Sequence, residues 1–382
     1  MKIVYCIDEI EASGGTERIT LKKAVSLAKI PGNDLYIVVA YNRTDIVGSI
    51  GGVHLIDLDV RYYDDIGLRR IPELLFVIKK RHEHKKKMLC VLEQIKPDIV
   101  VSTGMSEKSF ISKLKISSDP VFLREIHFNK FYRRKIAKSK YEKILACFGE
   151  FWDYNFAIKG FDKIVVLTQE DFVSNWEEGS NVAVMPNPLA HPSSEFTSFS
   201  NKIVITAGRL ERQKNHSSLI EAWRIVAEAH PDWILKIFGK GSLRDALQSR
   251  IDSYGLRGKV LLEGYTPDIM HEMAESSVFV LSSITEGMPL VIIEAMSCGL
   301  PVISYDCPTG PKDMITDGLN GFLVPTNDSQ CLAERLCALI EDHTLMETMG
   351  ANALETSKQY LPDKIIPRWM SLFSQLLKEK RS

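Results

Sequence analysis

The sequence predicts an α/β chain built from two Rossmann-like domains that face each other across a cleft. Three observations carry this expectation. Short strand-like runs alternate with helical stretches along most of the 382 residues, which implies parallel strands joined by crossover helices. The alternation begins twice, at KIVYCID (2–8) and again at KIVITAGRL (202–210). Between the two lie Met185-Pro186-Asn187-Pro188 and the Ser/Pro-rich stretch HPSSEFTSFS (191–200), which together read as a linker.

In the first half, the opening strand leads into a glycine loop, Ser13-Gly14-Gly15-Thr16, and a helix with Thr16 as candidate N-cap and Leu21, Val25 and Ala28 on one face. Further strands are expected at 35–40, 98–103, 121–127 and 163–168. In the second half the order is strand 202–210, helix 216–229, strand 233–239, helix 242–254, strand 259–264, strand 278–283, helix 289–298, strand 301–306 and strand 322–325, before two further helices. The predicted domains are 1–190 and 191–362.

Composition narrows the function classes. An apolar fraction of 45% and a charged fraction of 25% are ordinary for a folded globular chain. A chain this long buries enough core to need no disulfide or metal staple. The net charge of -1 excludes a wholesale polyanion binder. Seven cysteines with no C-x-x-C pair read as free thiols in a reducing compartment. Only five apolar residues separate Lys2 from Asp8, so no secretion signal is expected, and no run reaches the ~18 apolar residues of a membrane span. The expected location is cytoplasmic.

In open α/β sheets, ligands sit outside the carboxyl ends of the strands, so the informative residues are those in loops that leave strands and open helices. Glu286-Gly-Met-Pro-Leu-Val-Ile-Ile-Glu294 is such a segment. Gly287 permits close approach of a ligand to the backbone, and the N–H groups of a helix start attract polar or anionic oxygens. Glu286 and Glu294 could offer two carboxylates to hydroxyls at separate points of one ligand; alternatively, Glu286 complements the helix dipole and Glu294 is a solvated helix residue. Gly208-Arg209-Leu-Glu-Arg-Gln-Lys214-Asn215 is the second such segment. Arg209 as a fork and Lys214 as a point charge suit a diphosphate, and scattered surface cations are the competing account. Phosphate neutralisation in one loop and hydroxyl binding in the other match the demands of a nucleotide sugar. A dehydrogenase does not fit, because neither the first glycine loop nor Gly239-Lys-Gly241 completes G-x-G-x-x-G.

With these motifs, and with Cys307-Pro-Thr-Gly-Pro-Lys-Asp-Met-Ile and Asp317-Gly-Leu-Asn-Gly321, the sequence resembles the family 4 glycosyltransferases (glycosyl transferases group 1), which have the GT-B fold. The resemblance is detailed over about 200–330 and weaker before it. It implies that Arg209 and Lys214 neutralise the donor diphosphate, that Glu286 contacts donor-sugar hydroxyls, and that backbone N–H groups of Gly287, Met288, Pro289 and Leu290 assist. It implies that Glu294 binds the nucleotide ribose and that Gly14 and Gly15 let backbone reach the phosphate from the opposite domain. His127 matches a place where a histidine contacts sugar hydroxyls, with a core or capping role as the alternative. The resemblance further implies retention of anomeric configuration, no metal and no cofactor beyond the nucleotide-sugar co-substrate, and a last helix (363–382) that packs back on the first domain. Where relatives carry P-N-G-V-D, this chain has MPNP, which retains Asn187 but not the Gly and Asp, and puts the loop's aligning role in doubt.

Charge is uneven. From Arg61 to Lys143 there are 21 Lys/Arg and 10 Asp/Glu, a local net of +11. Interleaved with aromatic residues, this stretch suits an anionic membrane surface or a lipid-linked diphosphate; a solvated helix face is the alternative. Nucleic acid is not expected, since no such binding motif accompanies the patch. The expected activity is transfer of a hexose or N-acetylhexosamine from a nucleotide diphosphate sugar, a UDP-sugar, to a glycan acceptor that is lipid-linked, in cell-surface polysaccharide or glycolipid biosynthesis, with the enzyme peripheral on the inner face of the membrane. A nucleotide-sugar epimerase of the same fold and a non-catalytic sugar-binding subunit are the alternatives.

Overall fold

The computed structural model describes residues 1–10, 15–42, 48–62, 70–190 and 192–382. Gly14 and residues 63–69 of the basic stretch lie outside the described residues.

The N-terminal half runs β1 (Lys2–Ile10), α1 (Gly15–Ala28), β2 (Asp34–Asn42), β3 (Gly48–Ile50), β4 (Val53–Asp57), α2 (Arg70–Ile95), β5 (Ile99–Ser102), β6 (Val121–Ile126), α3 (Tyr132–Ile136), α4 (Lys140–Trp152), β7 (Lys163–Val166), α5 (Gln169–Asn175) and β8 (Val182–Val184). Its sheet has the order β3-β4-β2-β1-β5-β6-β7-β8, parallel except for the short β3–β4 pair. The opening strand shows why its sequence is apolar throughout. Ile3, Tyr5 and Ile7 face the core that α1 covers, whereas Val4 and Cys6 face the opposite core with Met88 and Leu92 of α2. A strand buried on both faces has no polar side to present.

The C-terminal half runs β9 (Ile203–Ala207), α6 (His216–Ala229), β10 (Ile234–Phe238), α7 (Arg244–Ser253), β11 (Val260–Gly264), α8 (Ile269–Ala274), β12 (Val278–Leu281), α9 (Leu290–Ser297), β13 (Val302–Tyr305), α10 (Pro311–Met314), β14 (Gly321–Val324), α11 (Ser329–Glu341), α12 (His343–Ser357) and α13 (Pro362–Arg381). Its parallel sheet has the order β11-β10-β9-β12-β13-β14. Counted from β9, this is the 3-2-1-4-5-6 order of a doubly wound fold, so the strand order reverses between β9 and β12. That switch point places the loops after β9 and after β12 side by side.

Two local expectations are corrected. Helix α1 begins at Gly15, so Thr16 lies in its first turn and is not the N-cap. The strand expected over 121–127 ends at Ile126, and Arg124 and Glu125 are both buried despite their charges.

The two halves are joined by more than the linker. Helix α13 starts with Pro362 in its first turn, where the missing N–H costs nothing. Its Ile365, Ile366, Trp369, Phe373 and Leu376 then complete the core beneath β1 and β2. Asp313 of α10 accepts the N–H groups of Gln169 and Glu170 at the start of α5, and Glu170 in turn accepts the Gly310 N–H at 2.9 Å. Asn187 of the linker is buried and donates its N–H to Met288 Sδ at 3.2 Å. A cavity of about 300 Å³ lies beside it, lined by Leu167, Pro186, Met288, Tyr360 and Arg368 among others.

Candidate active site

The loop after β9 is shaped by glycine and asparagine. Gly239, at φ 144°, sits so close to this loop that a Cβ there would lie 1.9 Å from the Gly208 carbonyl oxygen. The Gly239-Lys-Gly241 run therefore serves close packing against the loop and not a dinucleotide. The loop ends in a 3₁₀ turn, Arg212–Lys214, and Asn215 at φ 51° turns the chain into α6, a left-handed position that asparagine tolerates.

This geometry brings the loop's functional groups to the loop after β12. Lys214 Nζ donates to Glu286 Oε1 at 2.6 Å. Gln213, which sequence reasoning did not single out, is the connector. It is buried, its Nε2 donates to the Thr285 carbonyl at 2.8 Å, and its Oε1 accepts from Arg209 Nη2 at 3.4 Å and from the Tyr132 hydroxyl at 3.3 Å. Arg209, Lys214 and Glu286 thus form one constellation at the switch point. Arg209 is exposed, whereas the Lys214 and Glu286 side chains are only 15% and 8% exposed, so the ammonium and carboxylate interact in a far less screened setting than the guanidinium.

Glu294 stands just over one turn into α9, and neither Arg209 nor Lys214 is among its charged neighbours. Its charged neighbours are Arg18 and Lys22 of α1, across the cleft; burial raises its carboxyl pKa, and those two cations offset only part of the rise. Gly15 is exposed at the start of α1, and a Cβ there would meet nothing within 4 Å, so a ligand has room to approach it. Gly14 lies outside the described residues.

The Gly287–Leu290 segment differs from expectation in two respects. Pro289 occupies the N-cap position of α9 and has no N–H, so only Gly287, Met288 and Leu290 can donate from this segment. Gly287 also packs against the opposite domain: a Cβ there would lie 2.0 Å from the His127 carbonyl oxygen. Gly287→Ala is therefore expected to force the two domains apart locally. A clash of this kind costs about 1–3 kcal/mol, and kcat/KM should fall roughly ten-fold or more while the far-UV circular dichroism is unchanged. Unaltered kinetics would show that this contact is not part of the working enzyme.

His127 follows directly after β6, with its side chain 5% exposed and Nε2 3.1 Å from Glu125 Oε1. Behind it, Lys23 of α1 donates to the same carboxylate oxygen, and its ammonium also lies 4.1 Å from the Trp369 ring centroid. Burial pushes the Glu125 carboxyl up, but Lys23 and His127 together outweigh it and bring the pKa down to about 2. A second buried group sits at the switch point of the N-terminal sheet. Glu107 accepts from Ser102 Oγ and the Gly104 N–H, each at 2.8 Å, and burial, reinforced by Asp8, pushes its carboxyl up to about 7. Sequence reasoning missed Lys23, Glu107 and Gln213. Glu107 and Gln213 have no spacing signature, and Lys23 interrupts an apolar helix face, the one sign that could have marked it.

The basic stretch is partly neutralised by acids that follow it in the chain. Arg133 pairs with Asp153 at 3.0 Å, Arg134 Nε with Glu150 at 2.5 Å and Lys108 with Asp153 at 2.6 Å. Lys79, Lys85, Lys86, Lys138, Lys140 and Lys143 are exposed. Among the described residues, no group of three or more His, Cys, Asp or Glu side chains is placed to hold a metal ion, and no helix is long and apolar enough to cross a membrane.

Two Rossmann-like domains with facing switch points, a phosphate-suited loop and a carboxylate loop define a glycosyltransferase of the GT-B architecture. Residues 193–356, most of the C-terminal half, match the family model "Glycosyl transferases group 1". It is 27% identical over 383 residues to an uncharacterized glycosyltransferase of Haemophilus influenzae, a match covering 97% of this chain and 99% of the relative. It is 26% identical over 388 residues to the amylovoran biosynthesis glycosyltransferase AmsD of Erwinia amylovora, covering 98% and 99%. Among solved structures, a variant of S. aureus TarM in complex with fondaparinux, alpha-GlcNAc-glycerol and UDP superposes with a TM-score of 0.75 at 16% identity, covering 97% of this chain and 99% of that one.

Proposed function

We propose that this glycosyltransferase moves a hexose or N-acetylhexosamine from a UDP-sugar to a lipid-linked glycan, with retention at the anomeric carbon and without a metal, in the synthesis of a cell-surface polysaccharide or glycolipid. The observation that carries the proposal is the Lys214–Glu286 pair at the switch point, joined through Gln213 to Arg209. The donor's diphosphate takes Lys214 and Arg209, which frees the Glu286 carboxylate for hydroxyls of the transferred sugar. The N–H groups of Gly287, Met288 and Leu290 face the same ligand. Glu294 accepts from the ribose hydroxyls, and Gly15 at the start of α1 approaches the phosphate from the other domain. His127, held by Glu125 and packed against Gly287, contributes to a sugar hydroxyl. As the C1–O bond to the diphosphate breaks, its electron pair goes to the departing phosphate oxygen. The acceptor hydroxyl forms the new C1–O bond, and its proton leaves with the diphosphate. The two cations and the helix N-termini stabilise that growing charge.

Support for the acceptor class comes from AmsD, named for amylovoran biosynthesis, and support for the nucleotide from TarM, bound to UDP. The test is incubation with a panel of UDP- and GDP-sugars, with and without EDTA, scored first for slow donor hydrolysis and then for transfer to a membrane extract. EDTA-insensitive turnover of a UDP-sugar, stimulated by the extract, is the expected result. Isomerisation of the sugar without a second substrate, or turnover of GDP-sugars only, would contradict it.

A further inference from the structure

Helix α4 is amphipathic the wrong way round for a soluble helix. Tyr141, Ile144, Leu145, Phe148, Phe151 and Trp152 recur at helical spacing, and each is 51–70% exposed. Phe156, just beyond the helix end, adds to the stripe at 47% and lies 5.0 Å from the Trp152 ring, centroid to centroid. The side of α4 turned to the protein carries Ala146 and Glu150, the latter tied to Arg134. A helix normally buries its apolar stripe and wets its charges; here the reverse holds, and a contiguous exposed apolar patch marks an interaction surface.

We infer that α4 is an interfacial helix whose apolar stripe inserts into an anionic lipid surface. Charge identifies the occupant. Lys138, Lys140, Lys143 and Lys159 are exposed around the stripe. The exposed acid on the helix, Glu142, is engaged: its carboxylate accepts the Lys138 N–H at 2.6 Å, while Ser139 accepts the Glu142 N–H as N-cap. A second copy of the chain on this face would bring the same cations against each other. Lipid phosphates offer the opposite sign, each lysine near such a surface contributing attraction that falls off within a Debye length. Thirteen residues span about 20 Å, too short to cross a bilayer but suited to lie in its interface, where tyrosine and tryptophan rings are favoured. The helix is also placed for delivery. It packs on α3, and α3 reaches the donor loop through the Tyr132–Gln213 bond and through Arg212, which donates to the Ala137 carbonyl at 3.3 Å. A lipid-borne acceptor would arrive beside the cleft. The basic stretch read from sequence thus supplies attraction, and α4 supplies the insertion that sequence charge alone did not reveal.

The inference adds an inserted element to the proposed membrane-side acceptor, and its test involves no sugar transfer, so the two can fail separately. Full-length protein is mixed with vesicles of equal phosphatidylglycerol and phosphatidylcholine, and with phosphatidylcholine alone, and partition is measured by flotation. Preferential binding to the anionic vesicles is expected. Phe148→Ser with Trp152→Ser, both highly exposed, should lower partition at least ten-fold with unchanged circular dichroism. Acyl-chain-brominated lipid should quench tryptophan emission in the wild type, and Trp152→Phe should remove most of that quenching. Equal partition of the double variant, vesicle binding without acyl-chain quenching, or a concentration-dependent dimer that the double variant abolishes would each overturn the inference.

Discussion

Lys214→Ala is expected to lower kcat for sugar transfer by about 10²–10³-fold, the usual effect of removing one preorganised group that stabilises transition-state charge. Two properties make Lys214 the more demanding of the two cations. Its side chain is 15% exposed, so little solvent replaces it when it is lost, whereas Arg209 is exposed and water can partly substitute. Its removal also leaves Glu286 buried without its cationic partner, which opposes binding of an anionic donor. Arg209→Ala should therefore cost less than Lys214→Ala, and Lys214→Arg should recover little, since the Lys214 stem runs so close over Gly208 that a Cβ built there would lie 3.2 Å from it, leaving little room for the wider guanidinium. Steady-state kinetics with a fixed acceptor provide the measurement. Near-wild-type kcat in Lys214→Ala would remove this residue from the reaction.

Lys23→Met is expected to produce the largest loss of stability. It removes the ammonium from a fully buried pair and leaves the Glu125 carboxylate with only His127 beside it, at a cost of about 3–5 kcal/mol. For a domain of this size that corresponds to a fall of roughly 6–20 °C in Tm. Lys23→Met with Glu125→Leu should recover much of the loss, because an apolar replacement of both partners leaves no buried charge. Calorimetry separates the cases, and unchanged melting in the single variant would contradict the ion-pair account. The same site sets a pH dependence. Because the folded Glu125 carboxyl is held at about 2, below its ordinary value of 4.5, its contribution to stability is complete above about pH 4.5 and is lost as the pH falls from there towards 2. Wild-type stability should decline through that window, and the double variant should decline less.

Much of the fold was legible because its elements announce themselves locally. Strands buried on both faces are apolar runs, as β1 shows, and the expected helix at 216–229 matches α6 residue for residue. Helix boundaries set by caps were harder, since Thr16 looks like an N-cap but lies inside α1. The candidate ligand loops were legible because each leaves a strand and opens a helix, the place where open α/β sheets bind ligands, and the structure sets the loops after β9 and β12 side by side. Their support was not. Gln213 acts through backbone and side-chain bonds that only the folded loop creates, and Lys23 becomes meaningful only once β6 brings Glu125 across from α1. Gly287 could be seen as a site of close approach, but not that the His127 carbonyl makes that approach. The apolar stripe of α4 was present in the sequence as ordinary helical periodicity. Its outward direction depends on Glu150 and Arg134 anchoring the opposite side.

The central claim is that a nucleoside diphosphate sugar sits between the loops after β9 and β12. The most direct measurement is a crystal structure of the protein soaked with UDP. The account predicts diphosphate oxygens within ion-pair distance of Arg209 and Lys214, with the Lys214–Glu286 bond opened and the ribose hydroxyls at Glu294. UDP bound elsewhere, with Lys214 still on Glu286, would contradict it.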